Sequence, residues 1–376
     1  MDATSSDSGG AGAVSGVSKT APKPGFRAHA AAPPPAPRVH APPPSASPAR
    51  GPPRINLGTK PTSVSPALVE DDLEMSYPPP TEHGCTALDI AYYFHPSTHW
   101  TEAWYSKPKG LPTPLQNEGR VRWRANTSWV GTTQTLYAGF LFADLSICWF
   151  SVTYDKVTPA DPNDAAAVQR HAEYLPRPAP MDGAALRAAH DTYGEIVAAF
   201  AESFAGTGRF CARGECWDLA NEALAHAARL LPAAPPVGSI ARTHGHLIFK
   251  GTPRAGRWYG GDDRVRRGDV VEWRLARLDL PRGAYASFGN PDHTAVITAD
   301  AVPTRTPVHG GALHPSELVQ LEVVEQGVDS PPVKKTYPLA GFKDGEVWIY
   351  RPVGMQAYVG AELAPTPPAG VRTLTL

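Results

Sequence analysis

The sequence predicts an α+β fold in which a helix that carries a cysteine packs on an antiparallel sheet. From Asp218 onward, small and aliphatic residues recur at helical spacing on one stripe. That stripe consists of Ala220, Leu224, Ala227 and Leu231. Short runs rich in β-branched and aromatic residues follow, with turns between them, and these runs predict the strands. They span residues 268–273, 293–298, 318–327 and 346–352.

The N-terminal region differs in composition from the rest of the chain. Of the 42 prolines, 17 fall in the first 80 residues, while all nine tryptophans and all four cysteines come after residue 76. A segment with so few large apolar side chains cannot bury a core, so residues 1–75 are predicted to be a disordered tail. Its PPPAP and APPP runs favour polyproline II, which SH3-type domains bind. No arginine-flanked PxxP spacing matches cleanly, so a docking site and a flexible spacer both remain open.

The overall charge excludes some classes of function. A formal net charge of −1 argues against general binding to nucleic acid or membranes, although residues 1–60 carry a local excess of positive charge. No run approaches a membrane span, and the N-terminus lacks the apolar region of a signal peptide. We therefore expect a cytoplasmic protein with no transmembrane segment, whose cysteines stay reduced.

Residues 76–160 are predicted to form a β-rich extension. In the run DLSICWFSVTYD (144–155) both alternating faces are apolar, which is typical of a covered central strand. Trp100, Trp104, Trp123 and Trp129 could line a groove, but aromatic clusters more often belong to a core. The stretch 157–182 is predicted to be a linker, because its prolines forbid a long helix. Asp182 then caps the next helical pattern.

Cys216, in the stretch GECWDLANEAL (214–224), is the candidate nucleophile. It stands where the predicted helix begins, and unpaired N–H groups together with the helix dipole stabilise a thiolate there. The same N–H groups suit a developing oxyanion. Gly214, two residues earlier, gives the backbone room to approach.

A thiol nucleophile needs a base and a group that orients the base. His293 follows the turn NPD as the first residue of its predicted strand, where its ring can project towards the helix start. Glu325 lies near the end of the next predicted strand, beside Gln326. These residues complete a nucleophile, a base and an orienting carboxylate.

Two other interpretations of these side chains remain open. Taken alone, Cys216 could be a small buried apolar residue, as Cys211 is expected to be. Cys211, Cys216, His244 and His246 could also ligate a metal, although their spacings fit no common zinc module. We expect no metal and no cofactor.

The motifs GECWDLA, GDVVEW, HTAVI and VVEQG, in this order, resemble the papain-like superfamily and its NlpC/P60 and CHAP branches. The resemblance implies a nucleophile at Cys216, a base at His293 and an orienting carboxylate at Glu325. The expected supporting or cleft residues are Gly214, Glu215, Trp217, Asp292 and Gln326. The chain departs from these families at Glu215, where CHAP domains often have Gln, and at Gly327, which replaces the usual Asn after EQ.

The whole arrangement, from the proline-rich approach to the closing IYRP, resembles the C-terminal cysteine-proteinase-fold domain of fungal cortical actin-patch proteins. That resemblance implies a protein of endocytic actin patches, with protein partners and without established peptidase activity. The resemblance favours a non-catalytic interaction module, and the alternative is an active cytosolic thiol hydrolase that uses Cys216, His293 and Glu325. A cleft plugged by the 300–317 insertion would favour the first. The expected organisation is a tail (1–75), the extension (76–160), the cysteine-proteinase-fold domain (180–353) and a flexible C-terminus (354–376).

Overall fold

A computed structural model describes residues 73–108, 110–116 and 121–376. Except for its last three residues, the tail that we expect to be disordered lies outside these ranges. The proline runs considered as SH3-type docking sites also lie outside them. The helices are α1 (Thr86–Phe94), α2 (Thr113–Gln116), α3 (Gly183–Glu202) and α4 (Cys216–Leu230). Within the described ranges, no helix is both long enough and apolar enough to cross a bilayer.

The first sheet belongs to the extension and has four antiparallel strands in the order β1-β2-β3-β4. They are β1 (Arg122–Val130), β2 (Thr133–Leu141), β3 (Ile147–Asp155) and β4 (Gln169–Leu175). Both faces of β3 are covered: Ile147 and Trp149 join the main core, while Cys148 and Phe150 join a second core with α1. The alternating apolar faces of the 144–155 run thus correspond to two separate cores.

The second sheet has seven antiparallel strands in the order β10-β9-β8-β7-β11-β5-β6. They are β5 (His246–Gly251), β6 (Gly256–Trp258), β7 (Val270–Asp279), β8 (Tyr285–Ile297), β9 (Gln320–Gly327), β10 (Ser330–Pro338) and β11 (Phe342–Arg351). The predicted α+β class is confirmed.

Helix α4 packs on the second sheet through the stripe that the sequence predicted. Ala220, Leu224 and Ala227 are fully or almost fully buried. They share a core cluster with Val296 of β8 and Val324 of β9. Because the helix starts beside these two strands, its first residue lies near the residues that they carry.

The structure differs from the expected organisation in the extension. The proline-containing stretch after residue 160 was expected to be a linker, but β4 within it pairs with β3 over seven residues. Proline forbids a long helix there but not a strand. The extension also contains α1, whose buried face includes Ile90 and Phe94.

Residues 354–376, expected to be flexible, contact the folded body. Met355, Val359 and Ala361 are buried in the main core, and Leu374 forms a β-bridge with Tyr174 of β4. The scattered apolar residues of this end pack against the sheets and hold it in place.

Candidate active site

Cys216 is the first residue of α4, as the sequence predicted. The loop before it is held by Asp218, whose carboxylate is almost fully buried. That carboxylate accepts hydrogen bonds from the backbone N–H groups of Arg213 (3.0 Å) and Glu215 (3.3 Å). The guanidinium of Arg213 also donates to it at 2.8 Å. A carboxylate in the first turn matches the helix dipole and fixes the position of the thiol.

Gly214 has no room for a side chain. Its φ of +90° is in the region that favours glycine, and a Cβ there would lie 3.0 Å from the ring of Phe210. The glycine lets the loop turn into α4 beneath that ring.

Gln326 holds the same loop from the opposite side. Its side-chain oxygen accepts from the N–H of Cys211 at 3.0 Å. Its side-chain nitrogen donates to the carbonyls of Cys211 (3.0 Å) and Glu215 (2.8 Å). Two of these bonds connect β9 to Cys211, and the third connects it to Glu215, the residue that precedes Cys216. Gln326 therefore positions the helix start, and its amide is fully engaged away from the thiol.

His293 and Glu325 face each other across neighbouring strands β8 and β9. Nε2 of His293 lies 2.9 Å from a carboxylate oxygen of Glu325, and each side chain is 13% exposed. His293 is not the first residue of its strand, because residues 285–288 continue the pairing with β7 beyond a bulge. The contact leaves Nδ1 as the ring nitrogen that is available to another group.

Cys216 is that other group. Burial lowers the pKa of His293, but hydrogen bonds to Cys216 and Glu325 and the charges of both residues outweigh burial and raise the pKa to about 9. The cysteine sulfur also lies 3.9 Å from the carbonyl oxygen of Asp292. Cys216 is partly exposed, whereas the other three cysteines are buried. The structure therefore brings the thiol, the imidazole and the carboxylate together.

Tyr337 of β10 is a member of this site that the sequence analysis missed. Its hydroxyl donates a 2.7 Å hydrogen bond to the oxygen of Glu325 that does not face His293. Burial raises the pKa of Glu325, but the hydrogen bond and charge of His293, followed by the Tyr337 bond, lower it overall. Burial and the nearby Glu325 raise the pKa of Tyr337 well above its usual value. The hydroxyl therefore stays protonated and holds the carboxylate in place.

We expect Tyr337→Phe to shift the acid limb of Cys216 alkylation to higher pH. The folded pKa of Glu325 is lowered, so its ion pair with His293 persists until the pH falls below the ordinary glutamate value of about 4.3. Without the phenol this pKa rises, and the ion pair is lost earlier as the pH falls. The measurement is the alkylation rate against pH, with Tyr285→Phe, at an exposed site, as control. An unchanged acid limb would contradict the role of Tyr337.

Two expected cleft residues form the wall beside the thiol. Nε of Arg242 lies 2.7 Å from the carboxylate of Asp292. The indole nitrogen of Trp217 donates to the carbonyl of Ala241 at 2.8 Å. The guanidinium carbon of Arg242 also lies 5.4 Å from the ring centre of Tyr77, a residue of the extension that precedes α1. The wall of the site thus includes a residue of the extension.

The alternative metal set does not assemble. His244 is fully buried between Ser239 (2.8 Å) and Glu272 (2.7 Å), and His246 is buried against Tyr358 (2.7 Å). Within the described ranges, no group of three or more His, Cys, Asp or Glu side chains is arranged to hold a metal ion. The two histidines are core residues.

The 300–317 insertion packs at the far edge of the second sheet. Ala301 bridges to Val265, and Ala312 bridges to Arg257 of β6. Leu313 from this segment is fully buried in the main core. Strand β6 is separated from β8 by β7, β11 and β5, so these contacts place the insertion away from His293.

A helix that begins at a cysteine, packed on a sheet that carries histidine and glutamate on neighbouring strands, defines the class of cysteine-proteinase-fold proteins. The model of the AIM3/BBC1 cysteine proteinase-fold domain matches residues 168–363, about half of the chain. The chain belongs to this family. The matched range contains Cys216, His293 and Glu325.

One curated relative is Altered inheritance of mitochondria protein 3 of Debaryomyces hansenii. It is 28% identical to this chain over 234 residues, which cover 58% of the chain and 23% of the relative. The match therefore spans about a quarter of the relative's length. No solved structure matches this chain.

Proposed function

We propose that the protein is a papain-like thiol hydrolase that cleaves an amide or isopeptide bond. The observation that carries the proposal is the contact chain from Cys216 through His293 to Glu325, with a partly exposed thiol at one end. A cleft plugged by the 300–317 insertion would favour the binding role instead, but this segment contacts Val265 and β6.

The chemistry follows from the protonation states of these groups. With the pKa of His293 raised to about 9, the ring is an imidazolium at neutral pH. An imidazolium favours the thiolate form of a neighbouring cysteine. The thiolate attacks the substrate carbonyl carbon, and the N–H of Cys216, which has no partner within the helix, is placed to donate to the oxyanion. His293 then gives its proton to the leaving amine as the C–N bond breaks.

The second half of the reaction regenerates the site. Neutral His293 accepts a proton from water, which attacks the thioester of Cys216 and releases the carboxylic acid. Glu325 keeps the ring in place and offsets its charge in both halves. Each turnover consumes one water molecule and no cofactor.

A peptide-library digest tests this proposal. The full chain is incubated with proteome-derived peptides and with isopeptide-linked peptides, and the products are identified by mass spectrometry. We expect the wild type to cleave and Cys216→Ala to be inactive. Cys85→Ala, which removes a buried thiol of the extension, should cleave like the wild type. After acid quenching, a thioester adduct should be found on Cys216. Identical product sets from wild type and Cys216→Ala would refute the hydrolase.

A second candidate is an interaction module in a cytoplasmic protein of fungal actin patches, whose proline-rich tail binds SH3-type partners. Membership of the AIM3/BBC1 family supports this setting. The feature of the fold that favours a binding role is the exposed outer strand of the extension, on which Trp123 and Trp129 are 51% and 60% exposed. The two roles are compatible, since that strand lies in the first sheet, whereas Cys216 begins α4, which packs on the second sheet.

A further inference from the structure

Strand β1 is an exposed edge of the four-stranded sheet. It pairs with β2 at all nine positions, from Arg122 to Val130, without a register shift. None of its side chains is buried, and Val130 at its end is 82% exposed. One side of its backbone therefore has no strand partner within the described ranges.

Natural edge strands usually carry features that prevent pairing with other chains, such as proline, lysine, a bulge or a very short length. The β1 sequence RWRANTSWV contains neither proline nor lysine. It instead presents two tryptophans, which are enriched in protein interfaces. A regular, uncovered strand with these residues is suited to binding a further strand.

Arg122 is held by neutral groups. Its Nε donates to the carbonyl of Ser239 at 3.0 Å, and another guanidinium nitrogen donates to the side-chain oxygen of Asn221 at 2.8 Å. A Cβ on Gly238 would lie 2.2 Å from the guanidinium carbon, so the glycine gives this group its place. The arginine is fixed in position, and none of these partners neutralises its charge.

Arg124 adds a second positive charge on the same face of β1. Its guanidinium donates to the carbonyl of Trp123 at 3.2 Å. Among the described residues, neither Arg122 nor Arg124 forms an ion pair with a carboxylate. Burial, followed by the charge of Arg124, lowers the pKa of Arg122, while Glu222 acts weakly in the opposite direction. An open surface depression of about 520 Å³ is lined by residues 121–125. This end of the strand favours an anionic ligand.

We propose that β1 is a docking strand for an extended acidic peptide segment of another protein, which adds to the sheet as a fifth strand. Side chains alternate between the faces of a strand, so Arg122 and Arg124 lie on one face and Trp123 and Trp129 on the other. Directly opposed residues share a face. The matching partner therefore alternates carboxylate and apolar residues, with carboxylates facing the two arginines. This inference does not depend on Cys216.

Fluorescence anisotropy tests the surface with a labelled peptide of nine alternating Glu and Val residues, the length of β1. We expect saturable binding that weakens with added salt. Arg122→Gln/Arg124→Gln should weaken binding about tenfold, because two charge-assisted contacts are lost. Arg124→Gln alone, at an exposed site, should weaken it in the same direction, and Trp123→Ala should also reduce affinity. Cys216→Ala should bind like the wild type.

The matched control is Arg209→Gln/Arg229→Gln, which removes the same charge from two other exposed arginines and should leave affinity unchanged. A peptide with Lys in place of Glu should not bind, and one with a central Pro should bind weakly because it cannot pair along its length. Three outcomes would overturn the proposal. They are an absence of saturable binding, equal binding by the Arg122→Gln/Arg124→Gln variant, and a wild-type dimer that Trp123→Ala dissociates while no peptide binds.

Discussion

Replacing His293 with alanine is expected to slow iodoacetamide alkylation of Cys216 at pH 6 on the order of a hundredfold. Only the thiolate reacts, and an isolated thiol with a pKa of about 8.5 is almost entirely protonated at this pH. In the wild type, the His293 ring, whose pKa is raised to about 9, is an imidazolium at this pH. A neighbouring imidazolium favours a thiolate. The measurement is the modification rate at Cys216, located by mass spectrometry, in both proteins.

The pairing of His293 with Cys216 also sets the pH range over which the alkylation rates of the wild type and His293→Ala differ. The folded pKa of His293 is raised to about 9, so the imidazolium is present throughout the range below that pH and is lost above it. The two alkylation profiles should therefore diverge most below about pH 7 and converge above about pH 9. Equal rates at pH 6 would contradict an activated nucleophile and would leave the binding role alone.

The other cysteines provide an internal control. Burial raises the pKa of Cys85, and it raises that of Cys211 to about 11. Burial also raises the pKa of Cys148 well above its usual value. These thiols should stay unmodified while the protein is folded. His171→Ala removes an exposed imidazole from β4. Cys216 in this variant should be alkylated at the wild-type rate.

The sequence was sufficient to predict the helix that starts at Cys216 and the strands that carry His293 and Glu325. Each of these predictions rests on local periodicity: the α4 stripe recurs at helical spacing, and the strands alternate. Glu325 pairs with Ala295, so His293 lies diagonally from it, at a separation that long side chains on neighbouring strands can span. Local patterns therefore specified the three central side chains.

The residues that position this set were harder to predict. Gln326 reaches the loop at Cys211 across 115 residues of sequence, and no local pattern encodes such a contact. Tyr337 lies on β10, outside the runs from which the strands were predicted. It pairs with Leu321, whereas Glu325 pairs with Val333, so the reach of the tyrosine side chain and not its strand position brings the hydroxyl to Glu325.

The tryptophans of the extension show the same limit. Trp100 and Trp104 are buried in the second core, as expected of an aromatic cluster. Trp123 and Trp129 are exposed, because β1 is an edge strand with no cover on its outer side. The sequence offers no way to distinguish the two buried tryptophans from the two exposed ones, because the difference depends on which strand lies at the edge of the sheet.

The largest effect on stability is expected at Arg351, within the closing IYRP motif. Its side chain is fully buried and donates to Asp269 at 2.9 and 3.0 Å and to Asp262 at 2.6 Å. The two carboxylates are 1% and 0% exposed. Arg351→Met removes the cation but leaves both acids in the core. We therefore expect the free energy of unfolding to fall by about 3–5 kcal/mol, the usual cost of breaking a buried ion pair.

Chemical denaturation at two pH values tests this expectation. The partner arginines hold the pKa of Asp262 well below its ordinary range, against the effect of burial, so its ion pairs contribute stability above the ordinary aspartate value of about 3.9 and lose it as the pH falls further. The loss in free energy of unfolding caused by Arg351→Met should therefore be largest near neutral pH and smaller in acid. Adding Asp269→Asn should recover part of it, because one uncompensated charge is then removed. Arg277→Met, at an exposed position of β7, should change stability by less than about 0.5 kcal/mol. If Arg351→Met unfolds at the wild-type denaturant concentration, the buried arginine does not stabilise this fold.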